Sequence, residues 1–291
     1  MGEAMTDPVL TQLATPVGLP GSGRLRYGAA MALYRQGRIS PAVLEAYRVA
    51  SALDGQDPAA ILAAEGLALP DLPLPDAAAA LRGLLDEADI YLATLPGPGV
   101  AEVRAGIAQA RDVPIRPFVP SANAVVSDHL AAALAPLSLS HPALAHAIAV
   151  ATPHLEWITY DAYPRDQIGT AFAEGHAFAS LIGDGAPLHA TDIDFGIFLI
   201  APHVLYRDHN HPAPELYTPL TGPHGWRFGP GEPLVIKPAH QPVWNDPLRP
   251  HCTKVGAVPF LCFFGWTRDA NEPAHVLPAP DWPELEALRL D

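Results

Sequence analysis

The sequence predicts an α+β protein, with an N-terminal helical region followed by a strand-rich region that begins near residue 156. Two observations separate the halves. Before Leu155, apolar residues recur at helical spacing behind capping residues, whereas after Glu156 runs of four to eight apolar or aromatic residues alternate with Gly, Pro and Asn-Asp punctuation. A third sets the class: 49% of the 291 residues are apolar, 16% are charged and 34 are Pro, which fits a large core within rigid turns and short elements. Helices followed by strands, rather than alternating with them, argue against a wound parallel sheet.

The helical elements follow in order. Ser40-Pro41 places a capping hydroxyl before a Pro at the first helical position, and Val43, Tyr47 and Ala50 recur behind it. Asp57-Pro58 repeats that signal, with Gly66 as the stop. Asp76 caps a segment whose Leu81, Leu84, Leu85 and Ala88 form one apolar stripe, and Ala101 to Ala110 makes a fourth helix before the Pro-rich link DVPIRPFVP. Two more helices are expected over Ala122 to Leu134 and His141 to Ala151. The stripes read as packing surfaces, and none of these segments carries chemistry. His129 to Leu155 holds no Asp, Glu, Lys or Arg, yet Pro136, Pro142, Pro153 and four His make it two buried helices rather than a membrane span. The strand candidates are WITY, HAFASLIG, FGIFLIA, ELYTPL, PLVIK and PFLCFFGW, spaced as in an antiparallel sandwich or barrel. Closure of a barrel would remove exposed strand edges.

Charge narrows the partners. Seventeen Lys and Arg against 31 Asp and Glu leave −14, which argues against nucleic acid and against an anionic membrane surface. MGEAMTDPVLTQL lacks a basic start followed by an apolar run, and two Cys, Cys252 and Cys262, cannot build a disulfide framework. The expectation is a cytoplasmic protein acting on a small molecule.

The informative stretch is YRDHNHPAPELYTPLTG, Tyr206 to Gly222. His209 and His211 lie two apart, so on a strand their imidazoles leave the same face. Glu215 follows beyond Pro212 and Pro214, and Tyr217 shares the face of Glu215. Two imidazoles, a carboxylate and a phenol can therefore converge, and two His with one carboxylate suffice to hold one divalent metal ion such as Zn, Fe, Mn or Ni.

The pattern H-x-H-x-x-x-E-x-Y-x-x-x-x-G resembles the first metal motif of cupins, and Tyr206 three residues ahead of His209 makes it similar to the dimethylsulfoniopropionate lyase family within them. The resemblance covers roughly residues 120 to 270, leaving out the first hundred or so. It implies a cupin β-barrel, or double-sheet jelly roll, with a division into a helical region 1–115, helices packing on the barrel 116–155 and a metal-binding barrel 156–280. It further implies that His209, His211 and Glu215 bind the metal, that Tyr217 is the general base and that Tyr206 lines the substrate pocket. The reaction implied is β-elimination of dimethylsulfoniopropionate to dimethyl sulfide and acrylate. Cupins often pair through their barrels, which implies a homodimer.

The second cupin motif departs from the pattern. Gly231 and Pro238 fall in register, but position 240 holds His in place of Gly and position 243 holds Val in place of a ligand His. Several outcomes stay open: His240 takes over through a shifted turn, His251 reaches in, the site is a two-His-one-carboxylate triad, or the metal is lost. A sulfonium substrate needs aromatic faces, for which Trp226, Trp244 and Trp266 are candidates beside Tyr206. His224 reads as a solvated turn residue and Cys252 as a spectator. The alternatives to a lyase are a mononuclear non-haem iron oxygenase and a non-catalytic cupin that binds or senses a small molecule.

Overall fold

A computed structural model of the chain describes residues 8–69, 76–161 and 163–290; the expectation drawn from the first seven residues lies outside them. The described residues form two compact units, one from within Met1–Leu84 and Leu137–His154, the other from within Leu85–Pro136 and Leu155–Asp291.

The first unit contains α1 (Pro8–Leu13), α2 (Ser22–Arg35), α3 (Pro41–Ala50), α4 (Pro58–Ala64), the first half of α5 (Ala77–Leu92), the end of α7 (Ala124–Ser140) and α8 (Pro142–Ala151). Helix starts fall where the caps predict them. Ser40 Oγ accepts the Val43 N–H at 3.2 Å, Asp57 Oδ1 accepts that of Ala59 at 2.8 Å, and Asp76 Oδ1 accepts that of Ala79 at 2.7 Å. α4 stops ahead of Gly66, whose φ of 66° suits glycine. α2 carries no such signal, because its cap is not local: the Asp54 carboxylate accepts the N–H groups of Gly21 and Gly23, each at 2.8 Å. α7 runs past the expected Leu134, through Pro136, to Ser140, since an internal Pro forfeits one ladder bond in a helix that packing holds.

The second unit holds the rest of α5 and α7, α6 (Val100–Ala110), the short α9 (Arg165–Ile168) and α10 (Thr170–Glu174), eleven strands, and α11 (Trp282–Ala287). The strands are β1 (His176–Gly183), β2 (Leu188–His189), β3 (Asp194–Ile200), β4 (Leu205–Asn210), β5 (Glu215–Pro219), β6 (His224–Arg227), β7 (Val235–Lys237), β8 (Val243–Asn245), β9 (His251–Lys254), β10 (Phe260–Trp266) and β11 (His275–Val276). One sheet runs β2-β1-β3-β10-β5-β8 and the other β11-β4-β9-β6-β7. Their inner faces meet through Phe198 against Tyr206, ring centroids 5.9 Å apart, and Tyr217 against Trp226 at 5.5 Å. This is the double-sheet jelly roll that the sequence resemblance implies. WITY is not a strand; it contributes a single bridge, Ile158 to Phe178.

The two sheets do not join into one hydrogen-bonded cylinder, so closure is not what protects the edges. The edge strands β2, β8, β11 and β7 are two or three residues long, too short to template another strand.

Registers fix what faces the interior. Asp194, Trp266, Glu215 and Asn245 are paired neighbours across β3, β10, β5 and β8 and form one inward row. Gly196, Phe264, Tyr217 and Val243 form the next row, two residues on. The outer face takes α6: a Cβ at Gly265 would lie 2.7 Å from Val103 Cγ2, so only glycine admits that approach. No helix among the described residues is long and apolar enough to cross a membrane.

Two interior histidines are structural. His176 Nδ1–H donates to the Phe172 carbonyl at 2.6 Å while its Nε2 accepts the Tyr160 N–H at 3.0 Å. His224 is buried rather than solvated; its Nδ1 accepts the Gly256 N–H at 3.1 Å and its Nε2 meets Thr221 Oγ1 at 3.1 Å. Burial lowers both to about 4. Each stays neutral in the fold while the unfolded chain takes up a proton below about 6.5, so stability falls as pH drops from that value toward 4. Asp194, raised by burial to about 6, works in the opposite direction and offsets part of the loss. The metal-free chain is expected to lose on the order of 2 kcal/mol between pH 7 and 5. Urea midpoints at the two pH values test this, and equal midpoints would refute it.

Candidate metal and substrate site

The site is assembled by a bulge. β4 pairs with β9 as Leu205 to Lys254 and Tyr206 to Thr253, and resumes after a shift as His209 to His251. The two intervening residues both turn outward. Arg207 Nε and Nη2 donate to Glu286 Oε1 at 2.9 and 2.7 Å, with the guanidinium 4.5 Å above the Trp282 ring. Asp208 accepts Arg227 Nε at 2.9 Å and Trp282 Nε1 at 2.8 Å. Tyr206 and His209, three apart, thus share the interior face, where strict alternation would separate them. Their rings stack at 3.9 Å, and Phe172 stacks on the other side of Tyr206 at 4.0 Å.

Three imidazoles converge. His209, His211 and His251 each offer a nitrogen within 4.8 Å of the others, and all three are buried. Each Nδ1 bonds a backbone carbonyl: Arg207 O for His209 at 2.8 Å, Ala213 O for His211 at 2.8 Å, and Arg249 O for His251 at 2.9 Å. A carbonyl only accepts, so each Nδ1 carries the proton, and on a neutral ring Nε2 keeps its lone pair. The Nε2 of His209 is buried and has no hydrogen-bond partner among the described residues, while those of His211 and His251 face Glu215. Burial first, then His251 and His211, hold His209 well below its ordinary pKa, so it is neutral.

Glu215 Oε2 lies 3.2 Å from His211 Nε2 and 3.2 Å from His251 Nε2. Burial pushes its carboxyl up, but the two facing imidazoles outweigh that and hold it well below the usual carboxylate range. Asn245 Nδ2 donates to Oε2 at 3.2 Å and Trp266 Nε1 to Oε1 at 2.7 Å, and the Trp266 ring stacks on His211 at 4.2 Å. Buried nitrogens with directed lone pairs beside an ionised carboxylate are the donor set that a divalent transition metal takes, so the residues fit one.

A cavity of about 280 Å³ opens beside this cluster, lined by Tyr206, Tyr217, Glu215 and Trp266 and walled by Phe178, Phe198 and Phe264. Burial and then Glu215 push the Tyr217 phenol well above its ordinary pKa. Tyr206 is also raised, by burial and then by Tyr163, whose hydroxyl lies 2.9 Å from its own.

His209, His211, Glu215, Tyr206, Tyr217 and Trp266 are therefore brought together. His240 is not: its Nδ1 lies 3.0 Å from Tyr91 Oη, and its backbone, at φ 64°, turns it away from the cluster. His251 supplies the imidazole that position 243 lacks, and Val243 packs inward opposite Tyr217. Trp226 is fully buried core against Tyr217 and Phe260 and does not line the cavity. Trp244 sits over Gly99 and donates to Asp246 at 2.9 Å, away from the pocket. Spacing alone does not single out His251; its one local signal is the weak alternation of His251 and Thr253 on a short strand.

Comparison with known proteins bears on the same residues. The sequence model of a family described as dimethylsulfoniopropionate lyase matches residues 103–262. The chain is 28% identical, over 119 residues and 41% of its length, to the dimethylsulfoniopropionate lyase DddQ of Ruegeria pomeroyi; the matched stretch spans 58% of that relative. The crystal structure of DddQ from Ruegeria pomeroyi DSS-3 superposes with a TM-score of 0.53 at 22% identity, covering 68% of this chain and 95% of that one. A chain from the crystal structures of the DMSP lyases RdDddP and RnDddQII gives 0.54 at 18% identity, covering 70% and 100%. At those identities the structures speak for the fold. The family match takes in the bulged strand, the histidine cluster and Tyr217 and spans more than half of the sequence: this chain belongs to the dimethylsulfoniopropionate lyase family.

Proposed function

We propose that the chain is a metal-dependent carbon–sulfur lyase that cleaves dimethylsulfoniopropionate, or a similar small β-substituted carboxylate, to dimethyl sulfide and acrylate. The observation that carries this reading is the convergence of the three imidazoles and Glu215 beside an aromatic cavity that also holds Tyr217. His209, His211, His251 and Glu215 would hold one divalent cation. Bound there, it would supply a Lewis acid for the substrate carboxylate and a positive charge that favours the ionised form of a nearby phenol.

The chain's own residues do the rest. Tyr217 lies two residues beyond Glu215 on the same face of β5, one inward row deeper into the cavity. Its Oη takes the proton from the substrate α-carbon; the C–H pair becomes the new double bond, and the Cβ–S pair leaves with sulfur. Tyr163 engages the Tyr206 hydroxyl, which leaves Tyr206 a wall residue rather than a competing base. Phe178, Phe198 and Phe264 offer ring faces to the sulfonium and exclude water from the carbanionic side.

Metal content and acrylate release test the reading together. Elemental analysis of untagged protein is expected to give about one equivalent of Zn, Fe, Mn or Ni per chain, absent in His251→Ala and retained in His240→Ala. The loaded chain is expected to release acrylate from dimethylsulfoniopropionate. Failure to take up any of the four metals, or loaded protein that releases no acrylate, would sink the proposal.

A further inference from the structure

We propose that Asp194 is the anionic subsite for the cationic pole of the substrate, a specificity-determining residue that makes the cavity match a zwitterion; this rests on the lyase reading of the same cavity. Asp194 opens β3 and shares an inward row with Trp266 and Glu215, one strand from the first and two from the second. Two strand spacings put its backbone roughly 10 Å from that of Glu215. A substrate carboxylate held beside Glu215 directs its sulfonium, three bonds away from the carboxyl carbon, along the cavity that Asp194 also lines.

The environment of Asp194 suits a cation that is not part of the protein. Asp194 lines the cavity as a residue, and the Ser180 hydroxyl hydrogen-bonds its carboxylate. Oδ1, on the side of Gly183 and closed to the cavity, has no hydrogen-bond partner among the described residues, so the charge acts on a cavity ligand through the carboxylate as a whole. No ion pair to Asp194 occurs among them either. An unpartnered carboxylate oxygen is costly to bury, and burial raises this group to about 6. The rings of Phe178, Phe198 and Phe264 carry no hydrogen-bond donor, yet they favour an onium group, which carries charge without N–H or O–H. A sulfonium needs a counter-charge and ring faces but no hydrogen-bond acceptor, and both are here.

The test uses two ligands that cannot undergo β-elimination because they lack a β-carbon: dimethylsulfonioacetate and its counterpart with a neutral sulfur, (methylthio)acetate. Titration calorimetry on the zinc-loaded full chain is expected to show the sulfonium bound at least about tenfold more tightly than the thioether. Asp194→Asn, which keeps the shape and the Ser180 bond, is expected to abolish that preference while leaving thioether affinity within about twofold. It is also expected to melt at the same or a higher temperature, because a buried charge has been removed. Ser180→Ala, which leaves the charge in place, is expected to keep the preference. The inference is overturned if the wild-type chain shows no preference, if Asp194→Asn retains it, or if that variant loses both ligands equally with a lower melting temperature. Failure of the lyase reading shows up separately, as no acrylate from dimethylsulfoniopropionate whatever the outcome of these titrations.

Discussion

Tyr217→Phe is expected to leave the metal content at the wild-type level and to lower acrylate release by at least about a hundredfold, the usual contribution of a positioned general base. The substitution removes one oxygen from a ring that otherwise only packs, on Trp226 at 5.5 Å and Phe198 at 6.5 Å, so the fold and the imidazole cluster should persist. In the metal-free pocket the phenol is a poor base, because burial and the Glu215 carboxylate oppose its ionisation. On the proposed general-base role, positive charge has to enter the site before Tyr217 can act, which would tie that role to metal loading and to the onium pole of the substrate. Tyr206→Phe is the contrasting case. Its hydroxyl already engages Tyr163 at 2.9 Å, so its loss should fall on KM more than on kcat. Unchanged turnover in Tyr217→Phe, with acrylate measured directly, would remove the general-base assignment.

The largest stability effect is expected on the outer side of β4. Arg227 and Asp208 form a buried two-bond ion pair, and Arg227 also reaches Asp281. Desolvation works against the Arg227 charge, but bonding to Asp208 and Asp281 outweighs it and raises its pKa. Asp208→Ala leaves that guanidinium buried and under-paired and is expected to cost about 3–5 kcal/mol. Replacing both partners with apolar residues, as in Asp208→Leu with Arg227→Met, should cost far less, because no charge is stranded. Chemical unfolding of the single and double variants decides it; equal losses in both would mean that the pair itself, and not the stranded charge, accounts for the cost. Asp208→Ala should also weaken metal binding, since Asp208 helps hold the bulge that places His209.

The helices with local caps were legible in the sequence, down to the hydroxyl of Ser40 and the carboxylates of Asp57 and Asp76. α2 was not, because its capping carboxylate arrives from Asp54, some thirty residues away. The long strands β1, β3, β5 and β10 announced themselves as apolar runs buried on both faces. β6, β8 and β9 are short and carry polar residues, so no such run marks them. At the site, the HxH and ExY spacing foretold which of those side chains meet. The third imidazole was beyond that logic: His251 reaches the cluster because β9 pairs with β4, a contact made forty-two positions along the chain from His209. His240 looked equally good by spacing, and only the turn at its positive φ directs it to Tyr91.

The bulge between Tyr206 and His209 works like a reading frame. Every side chain from His209 to His211 sees the interior or the exterior according to a count that begins at those two outward residues. Without the bulge, strict alternation over the same residues would invert the count, sending His209 and His211 toward α11 and leaving His251 to face an empty wall. Loops elsewhere in the jelly roll can lengthen or shorten at a modest entropic cost. Here the number of residues is itself part of the chemistry, so an insertion scan through Arg207 and Asp208 should find a step, on or off, where most surface positions give a slope.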